Sequence, residues 1–224
     1  MFDRLLKLIS KEELEMLGKV NVLLVGVGGV GGYALESMVR IGFKNITIID
    51  NDTVDLTNLN RQIISLHSNI GLLKVDVAEK RALDINPNIN LKKIDTFITK
   101  DNIDTIFNEK YDYIIDACDT VTTKVELIKK AQEKNIKIIS IMGTGNRLNP
   151  TMLEITDVFK TNYDPLAKVM RKLLRENNIT EADVITSKEI PIKTGTSTPG
   201  STSLVPSVAG IYATYYIVKD ILKR

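Results

Sequence analysis

Short apolar runs alternate with helical patterns along the first two-thirds of the chain, between Val20 and Met142. Runs rich in Val, Ile and Leu predict strands at 20–25, 46–50, 91–94, 111–116 and 136–142. Apolar residues spaced three and four apart predict helices at 31–41, 73–85 and 122–134, with a weaker helix after residue 101. This alternation is typical of successive βα units. It predicts an α/β fold with a Rossmann-like, doubly wound and mainly parallel sheet.

Weaker patterns flank this core on both sides. Ser10, followed three residues later by Glu13, is a candidate capping box and predicts a short helix through Leu17 that Gly18 ends. After Gly143 the pattern predicts an extended segment at 152–159, helices at 165–176 and 204–222, and a strand at 184–187. We expect one domain over residues 1–224, made of an arm and helix (1–19), a core (20–143) and an extension (144–224) that completes the same sheet.

The segment 193–203 is the one stretch rich in Gly, Ser and Thr, and we expect it to be a mobile loop before the last helix. A mobile loop beside a binding site often acts as a lid. The last helix contains Pro206, Gly210, Lys219 and Asp220 within its apolar residues, so it predicts a buried helix rather than a membrane span.

Composition narrows the class of protein. The 224 residues are 43% hydrophobic and 26% charged, which is typical of a globular protein and excludes wholesale disorder. Lys and Arg total 30 against 28 for Asp and Glu, a balance that does not indicate a dedicated nucleic-acid binder. Any contact with RNA would use a local basic patch, and the helix at 165–176 offers one, with Lys168, Arg171, Lys172 and Arg175 opposite Leu166, Val169, Met170 and Leu173. The same pattern also fits an ordinary solvated face of a helix packed on the core.

A single cysteine, Cys118, and a single histidine, His67, limit the chemistry. They supply neither an internal disulfide nor a zinc knuckle, so no zinc is expected and metal chemistry would use Mg²⁺ and carboxylates. Cys118 is interpreted as a small apolar filler. Because acidic residues interrupt the first 17 residues and no apolar leader is present, we expect a cytoplasmic protein.

A glycine-rich turn joins the first strand of the core to its first helix. Its glycines, Gly26, Gly28, Gly29 and Gly31, would let backbone N–H groups and the helix dipole face a phosphate. Asp50 ends the next strand, where a carboxylate can accept hydrogen bonds from ribose hydroxyls. The glycine pattern by itself is weakly specific, and it suits NAD as well as ATP.

The residues that follow favour a polyphosphate. Arg61 offers a rigid fork to phosphate oxygens, Lys74 offers a point charge, and Asp52 and Asp119 could hold Mg²⁺. A hydride-transfer site does not need this cluster. Taken one at a time, these residues also have structural interpretations: an Asn-rich turn around Asn58 and a solvated lysine on an amphipathic helix.

The runs GVGGVG, DNDTVDLTNLNRQ, GLLKVDVA and DACDT resemble the ubiquitin-activating-enzyme-like (ThiF/MoeB/HesA) adenylating superfamily. The resemblance implies a ThiF-type adenylating domain in which Asp50 binds the ATP ribose and Asp119 is associated with Mg²⁺. It also implies a homodimer in which Arg4 of one subunit reaches the ATP of the other. The resemblance further implies that the nucleotide is contacted by Gly26, Gly28, Gly29, Gly31, Asp52, Asn58, Arg61, Gln62 and Lys74.

Within the superfamily, MGTGNRLNPTMLEITDVFKT, DPLAKVMRKLLR, TSKE and GSTSLVPSVAGIYATYYIVKDIL resemble the tRNA threonylcarbamoyladenosine dehydratases, the TcdA or CsdL type. This branch implies adenylation of a carboxylate on a modified tRNA adenosine, followed by cyclisation with loss of water. It implies tRNA as substrate and leaves a sulfur-transfer protein as a possible partner. Three alternatives stay open: an activator of a ubiquitin-like sulfur carrier, a nicotinamide oxidoreductase and a non-catalytic RNA-binding protein.

Overall fold

The computed structural model describes all of residues 1–224 as one seven-stranded sheet with helices on both faces. The helices are Lys11–Lys19 (α1), Gly31–Ile41 (α2), Lys74–Ile85 (α3), Ile103–Ile106 (α4), Val121–Glu133 (α5), Pro165–Glu176 (α6) and Leu204–Leu222 (α7). The strands are Asn21–Val25 (β1), Asn45–Ile49 (β2), Asn90–Ile94 (β3), Tyr113–Asp116 (β4), Lys137–Ile141 (β5), Leu153–Asp157 (β6) and Asp183–Ser187 (β7).

The sheet has the strand order β3-β2-β1-β4-β5-β7-β6. Every neighbouring pair is parallel except β6 and β7, which pair antiparallel at one edge. The order reverses between β1 and β4, because the chain goes outward through β2 and β3 and then returns to the other side of β1. In open α/β sheets ligands bind outside the carboxyl ends of the strands at such a reversal. The α/β, doubly wound prediction is confirmed, and the extension after Gly143 completes the same sheet.

Alternating side chains of the central strands feed two hydrophobic cores. In β1, Val22 and Leu24 pack with α2, α3 and α7 on one face, whereas Leu23 and Val25 pack with α4, α5 and α6 on the other. All four side chains are almost fully buried. A strand covered by helices on both faces has to be apolar throughout, and this explains why β1 is a continuous apolar run rather than an alternating one.

Several predicted boundaries are corrected by the structure. The capping box of α1 forms as predicted, with Ser10 Oγ accepting from the Glu13 N–H and the Glu13 carboxylate accepting from the Ser10 N–H, but the helix continues through Gly18 to Lys19. Tyr111 precedes β4 rather than starting it. The extended segment predicted at 152–159 forms β6 over its middle and a 3-10 turn at Val158–Lys160.

The apolar face predicted for α6 is displaced around the helix. The buried side chains are Ala167, Met170 and Leu174, whereas Val169 is 45% exposed. Asp164 caps the first turn of the helix by accepting from the Ala167 N–H. The small Ala167 was not counted as apolar core in the sequence pattern, and its burial shifts the face.

The N-terminal arm packs against the body of the protein. Phe2 and Leu14 lie against Gly42, where an added Cβ would come within 2.4 Å of the Leu14 side chain. Arg224 donates to the Glu13 carboxylate at 2.9 Å, which ties the last residue of the chain to α1. No helix has the combination of length and apolar character that crossing a membrane would require.

Candidate active site

A cavity of about 450 Å³ opens at the carboxyl ends of β1, β2 and β4, where the strand order reverses. Most of the residues predicted to contact a nucleotide line it together, although they come from segments far apart in sequence. The predicted residues that line the cavity are Gly26, Gly28, Gly29, Asp50, Asp52, Asn58, Arg61, Gln62, Lys74 and Asp119.

The glycine turn lies too close to its neighbours for side chains. Gly26 has φ +87°, and a Cβ there would lie 2.8 Å from the carbonyl oxygen of Ala117. A Cβ on Gly31 would lie 1.8 Å from the Gly26 carbonyl oxygen, so Gly31 allows α2 to begin directly against the turn. Gly31 does not line the cavity, and the close packing around it leaves no room for a side chain; its contact with a nucleotide stays a prediction.

Asp50 holds the glycine turn and the following loop at the same time. Its Oδ2 accepts from the Val27 N–H at 2.8 Å, and its Oδ1 accepts from the Asp52 N–H at 2.9 Å. Each carboxylate oxygen can accept more than one hydrogen bond, so both retain capacity toward the cavity. The position just past the end of β2 places this carboxylate where a nucleotide ribose binds in doubly wound folds.

Lys74 begins α3 and is nearly buried, with 5% of its surface exposed. Its ammonium forms an ion pair with the Asp52 carboxylate at 2.6 Å, and Asp52 is largely exposed. The interpretation of Lys74 as a solvated lysine on a helix surface is therefore wrong. The pairing points the ammonium into the cavity, where a phosphate could share it with Asp52.

The Asn-rich segment after Asp52 forms a 3-10 turn, Leu56–Asn58, that presents polar groups to the cavity. Asn58 is 9% exposed, and its side-chain oxygen accepts from the Asp55 N–H in a capping box. Arg61 donates from Nη1 to the Thr57 carbonyl at 2.7 Å, so its guanidinium is held in place while other N–H groups stay free of protein acceptors. The Asn-rich turn is therefore real, and it also lines the cavity.

The loop after β4 carries Asp119, which lines the cavity with its carboxylate exposed to solvent. Beside it, Cys118 donates from its thiol to Asp116 Oδ1 at 3.0 Å. Burial and the neighbouring Asp116 carboxylate raise the pKa of the Cys118 thiol well above its usual range. The thiol stays protonated and is a poor nucleophile, which agrees with its interpretation as a filler.

A buried ion pair that sequence reasoning missed lies under this loop. Lys124 of α5 and Asp116 at the end of β4 are both fully buried, with Lys124 Nζ 3.1 Å from Asp116 Oδ2. The ammonium also donates to the Ile141 carbonyl at 2.7 Å, and the Ser140 hydroxyl donates to Asp116. The network joins the ends of β4 and β5 beneath the cavity. A lysine eight residues after a strand-end aspartate was the sequence signal.

The far wall of the cavity comes from the C-terminal extension and was also missed. Thr144 follows β5, Ser201 lies just before α7, and Pro206 lies in the first turn of α7. Arg147 fixes the loop after β5 from below: it is 2% exposed and donates to the carbonyl oxygens of Ser187 and Tyr163. Small hydroxyl residues in a loop carry little sequence signal, so only the fold identifies this wall.

Arg4 does not enter the cavity of its own chain. It precedes a 3-10 turn, Leu5–Lys7, in the N-terminal arm and is exposed. No group of three or more His, Cys, Asp or Glu side chains is arranged to hold a metal ion.

A Rossmann-like sheet with a glycine turn, a strand-end carboxylate and two cations in one cavity defines a nucleotide-binding α/β protein. The ThiF family profile matches residues 2–222, nearly the whole chain. The chain belongs to the ThiF family.

Proteins named as tRNA threonylcarbamoyladenosine dehydratases resemble the chain over most of its length. It is 39% identical to a tRNA threonylcarbamoyladenosine dehydratase of Bacillus subtilis, covering 96% of this chain and 92% of that protein. It is 37% identical to the Escherichia coli protein of the same name, over 76% of this chain and 64% of that one. The crystal structure of the E. coli enzyme, TcdA, in complex with ATP has a TM-score of 0.93 at 32% identity, covering 99% of this chain and 93% of that chain.

Proposed function

We propose that this protein is an ATP-dependent tRNA threonylcarbamoyladenosine dehydratase. The observation that carries the proposal is the gathering of Asp50, Arg61, Lys74 and Asp119 around one cavity at the strand reversal. The family relationship supports the proposal, because the B. subtilis and E. coli proteins that resemble most of this chain carry this name. A TcdA structure with the same fold holds ATP.

The reaction needs activation of a carboxylate and no protein nucleophile. An oxygen of the substrate carboxylate attacks the α-phosphorus of ATP, and pyrophosphate leaves. A nucleophile within the same modified side chain then attacks the acyl carbon and closes the ring, and AMP leaves with the carboxylate oxygen. Because attacking and leaving groups belong to one molecule, ring closure has little entropic cost. The balance is one substrate and one ATP to cyclic product, AMP and pyrophosphate.

The residues of the cavity suit the charge that develops in the first step. Arg61 and Lys74 would neutralise negative charge on the α-phosphate and on the departing pyrophosphate, the electrostatic contribution that usually dominates such catalysis. Asp50 would accept from the ribose hydroxyls, and Asn58 and Gln62 would donate side-chain N–H groups to phosphate oxygens. The N–H groups around Gly28 and Gly29 would face the phosphates at the start of α2.

We propose Mg²⁺ as the ion that accompanies ATP, with Asp119 as its protein ligand. Mg²⁺ prefers oxygen ligands and is commonly held by one or two carboxylates plus substrate phosphates, so a cluster of three protein ligands is not needed. Asp119 and Asp52 are the exposed carboxylates that line the cavity and fit this donor set. When bound, the ion would neutralise charge on the pyrophosphate.

Nucleoside mass spectrometry tests the activity. tRNA that carries threonylcarbamoyladenosine is incubated with protein and Mg-ATP, digested and analysed, and we expect the modified nucleoside to lose the mass of one water. Asp119→Ala should fold normally by circular dichroism and give no product. An unchanged nucleoside mass with the wild-type protein would reject the proposal.

The alternative activity is adenylation of the C-terminus of a ubiquitin-like sulfur carrier. Activators of this class commonly bear paired zinc-binding cysteines, which a chain with Cys118 alone does not have. The two activities separate in a pyrophosphate-exchange assay. Exchange that depends on a carrier protein and not on modified tRNA would favour the alternative.

We propose that tRNA phosphates are met by the exposed lysines of α6. The predicted basic face is only partly available, because Arg171 donates to the Thr161 carbonyl at 3.0 Å and Arg175 stacks over the Phe159 ring at 5.1 Å. Lys168 and Lys172 remain exposed. Lys168→Gln with Lys172→Gln should reduce the salt dependence of tRNA binding by about one unit of slope per lost phosphate contact.

We propose a homodimer in which Arg4 completes the ATP site of the opposite subunit. The arm is packed through Phe2 and yet leaves Arg4 exposed and outside its own cavity, an arrangement that suits reach toward a second copy. Inactive Arg4→Ala and inactive Asp119→Ala subunits, mixed equally, should form mixed dimers with one intact site of two. Activity should recover to roughly a quarter of wild type if the sites are independent.

Absence of recovery despite subunit exchange, or a monomer by light scattering, would reject the dimer proposal.

We further propose that residues 1–224 form one ThiF-type adenylating domain. We also propose that the protein works in the cytoplasm, where its tRNA substrate is found, and that a sulfur-transfer protein is a candidate partner.

A further inference from the structure

The loop after β5 and the segment before α7 are joined through one residue, Asn146. Its side-chain Oδ1 accepts from the Gly200 N–H at 2.6 Å, and its own N–H donates to the Gly200 carbonyl at 2.7 Å. Its carbonyl accepts from the Ile192 N–H at 2.8 Å. Both ends of the exposed segment 193–199 are therefore bonded to the same residue.

Asn146 takes a left-handed backbone conformation to make these bonds, with φ +58°. Asn is among the few residues that adopt this conformation readily. The packing beside it is close, since a Cβ on Gly145 would lie 2.9 Å from the Pro199 side chain. Arg147, the next residue, anchors the loop after β5 through its hydrogen bonds to the carbonyl oxygens of Ser187 and Tyr163. Asn146 therefore belongs to an anchored loop, and the 192–201 segment is attached to it.

The attachment shapes the cavity. Ser201 follows Gly200 and lines the far wall, and its carbonyl accepts from the Asn60 side chain at 2.9 Å on the opposite side. Thr144, two residues before Asn146, lines the same wall. The loop predicted at 193–203 is therefore bonded at its C-terminal end, where Asn146 binds Gly200 and the Asn60 side chain binds the Ser201 carbonyl.

The far wall lies on the side where the acyl substrate has to approach. Asp50 marks the ribose position at the end of β2, on one side of β1, whereas β4 and β5 lie on the other side. A nucleotide with its ribose at β2 and its phosphates over the glycine turn leaves the β5 side for the carboxylate that attacks phosphorus. Thr120 and Thr123 line this side next to β4, and Thr144 and Ser201 line the wall beyond β5.

We propose that Asn146 is a positioning residue for the tRNA substrate: it holds the 192–201 segment so that Ser201 and Thr144 form the wall against which the threonylcarbamoyl group of the substrate is bound. The inference rests on the proposed function. It assigns no part in ATP binding to Asn146, because Asn146 does not line the cavity.

Three substitutions separate the contributions of Asn146. Asn146→Asp keeps both the side-chain acceptor and the tolerance of positive φ, Asn146→Gly keeps only the tolerance, and Asn146→Ala keeps neither. We expect kcat/KM for modified tRNA to fall about 10- to 100-fold in the Gly and Ala variants, because a small misplacement of a bound substrate is costly. The Asp variant should retain most of the wild-type value.

The affinity for Mg-ATP, measured by calorimetry, should stay within about twofold of wild type in all three variants, a change of less than about half a kcal/mol. Asn149→Ala is the matched control. Asn149 lies in the same loop and its side chain caps a 3-10 turn by accepting from the Thr151 N–H at 3.0 Å, and it forms no hydrogen bond to the 192–201 segment. Its tRNA kinetics should be normal.

Each unfavourable outcome has a distinct meaning. Wild-type tRNA kinetics in Asn146→Ala, a Gly variant that behaves as wild type, or ATP affinity that falls in step with turnover would overturn the assignment. If the wild-type protein leaves the tRNA unchanged, the proposed function fails instead. Hydrogen exchange of the Gly200 amide then tests the attachment of the 192–201 segment to Asn146, independently of activity. Exchange should be faster in the Gly and Ala variants than in wild type, and equal exchange would overturn the attachment.

Discussion

Removal of the buried ammonium of Lys124 tests whether the network beneath the cavity supports both the fold and the ATP site. Lys124→Met keeps the length of the aliphatic stem and removes the charge, so little volume is lost. The substitution leaves the Asp116 carboxylate fully buried without its cation. It also removes the hydrogen bond of 2.7 Å that the ammonium donates to the Ile141 carbonyl.

The expected loss of stability is large for a single substitution. Removing one partner of a buried ion pair costs about 3–5 kcal/mol, because the remaining charge stays buried and uncompensated. For a chain of this size each kcal/mol corresponds to roughly 2–4 °C in Tm, so Tm should fall on the order of 6–20 °C. Adding Asp116→Asn should recover part of the loss, with a coupling on the order of 1–3 kcal/mol.

Urea unfolding followed by circular dichroism measures the change, with Lys130→Met as control. Lys130 is on the same helix and pairs with Asp104 at 2.8 Å, but Asp104 is 75% exposed, and surface pairs are worth about 0–1 kcal/mol. If Lys124→Met is no more destabilising than Lys130→Met, the reasoning about the buried pair is refuted. In the folded fraction, ATP affinity should also fall, because Asp116 positions the Cys118 N–H and with it the loop that carries Asp119.

The remaining predictions concern the glycine turn, the cysteine and α6. Gly26→Ala should abolish ATP binding by calorimetry, because the new Cβ would collide with the Ala117 carbonyl. Gly71→Ala is the control: Gly71 has nearly the same positive φ but no neighbour within 4 Å, so the substitution should cost only about 1 kcal/mol of strain and leave binding intact. Equal effects of the two substitutions on ATP binding would refute the role of close packing at Gly26. Since burial and a neighbouring carboxylate raise the pKa of the Cys118 thiol, native protein should resist alkylation at pH 8, and rapid labelling would contradict this. Arg171→Gln should lower Tm more than Lys168→Gln, because only the arginine is bonded to protein groups.

The local pattern of the sequence was enough to predict most of the fold. The βα alternation from β1 to β5 carries a strong signal because strands buried on both faces must be continuously apolar, and the helices between them must be amphipathic. The turn with Gly26 and the strand-end Asp50 were recognisable because their chemistry follows directly from their position after a strand. The end of α1 shifted from Gly18 to Lys19, and the buried face of α6 turned away from Val169, although the bounds of α6 are as predicted.

The residues of the candidate site also fall into a part that was predicted from the sequence and a part that was not. Arg61, Lys74 and Asp119 were predicted from the chemistry of their side chains and from the motifs DNDTVDLTNLNRQ, GLLKVDVA and DACDT that contain them, and they line one cavity. The Asp116–Lys124 pair was not predicted, although its eight-residue spacing after the end of a strand is visible in the sequence. The wall at Thr144 and Ser201 and the attachment at Asn146 were not predicted either. These depend on which strands and loops become neighbours, and residues such as Asn146 and Gly200, 54 positions apart, meet only after the sheet has brought β5 and the start of α7 together. The sequence determined the periodicity and the chemistry of individual residues. The pairing of distant loops was decided by tertiary packing, because hydrogen bonds between them have no local pattern to read.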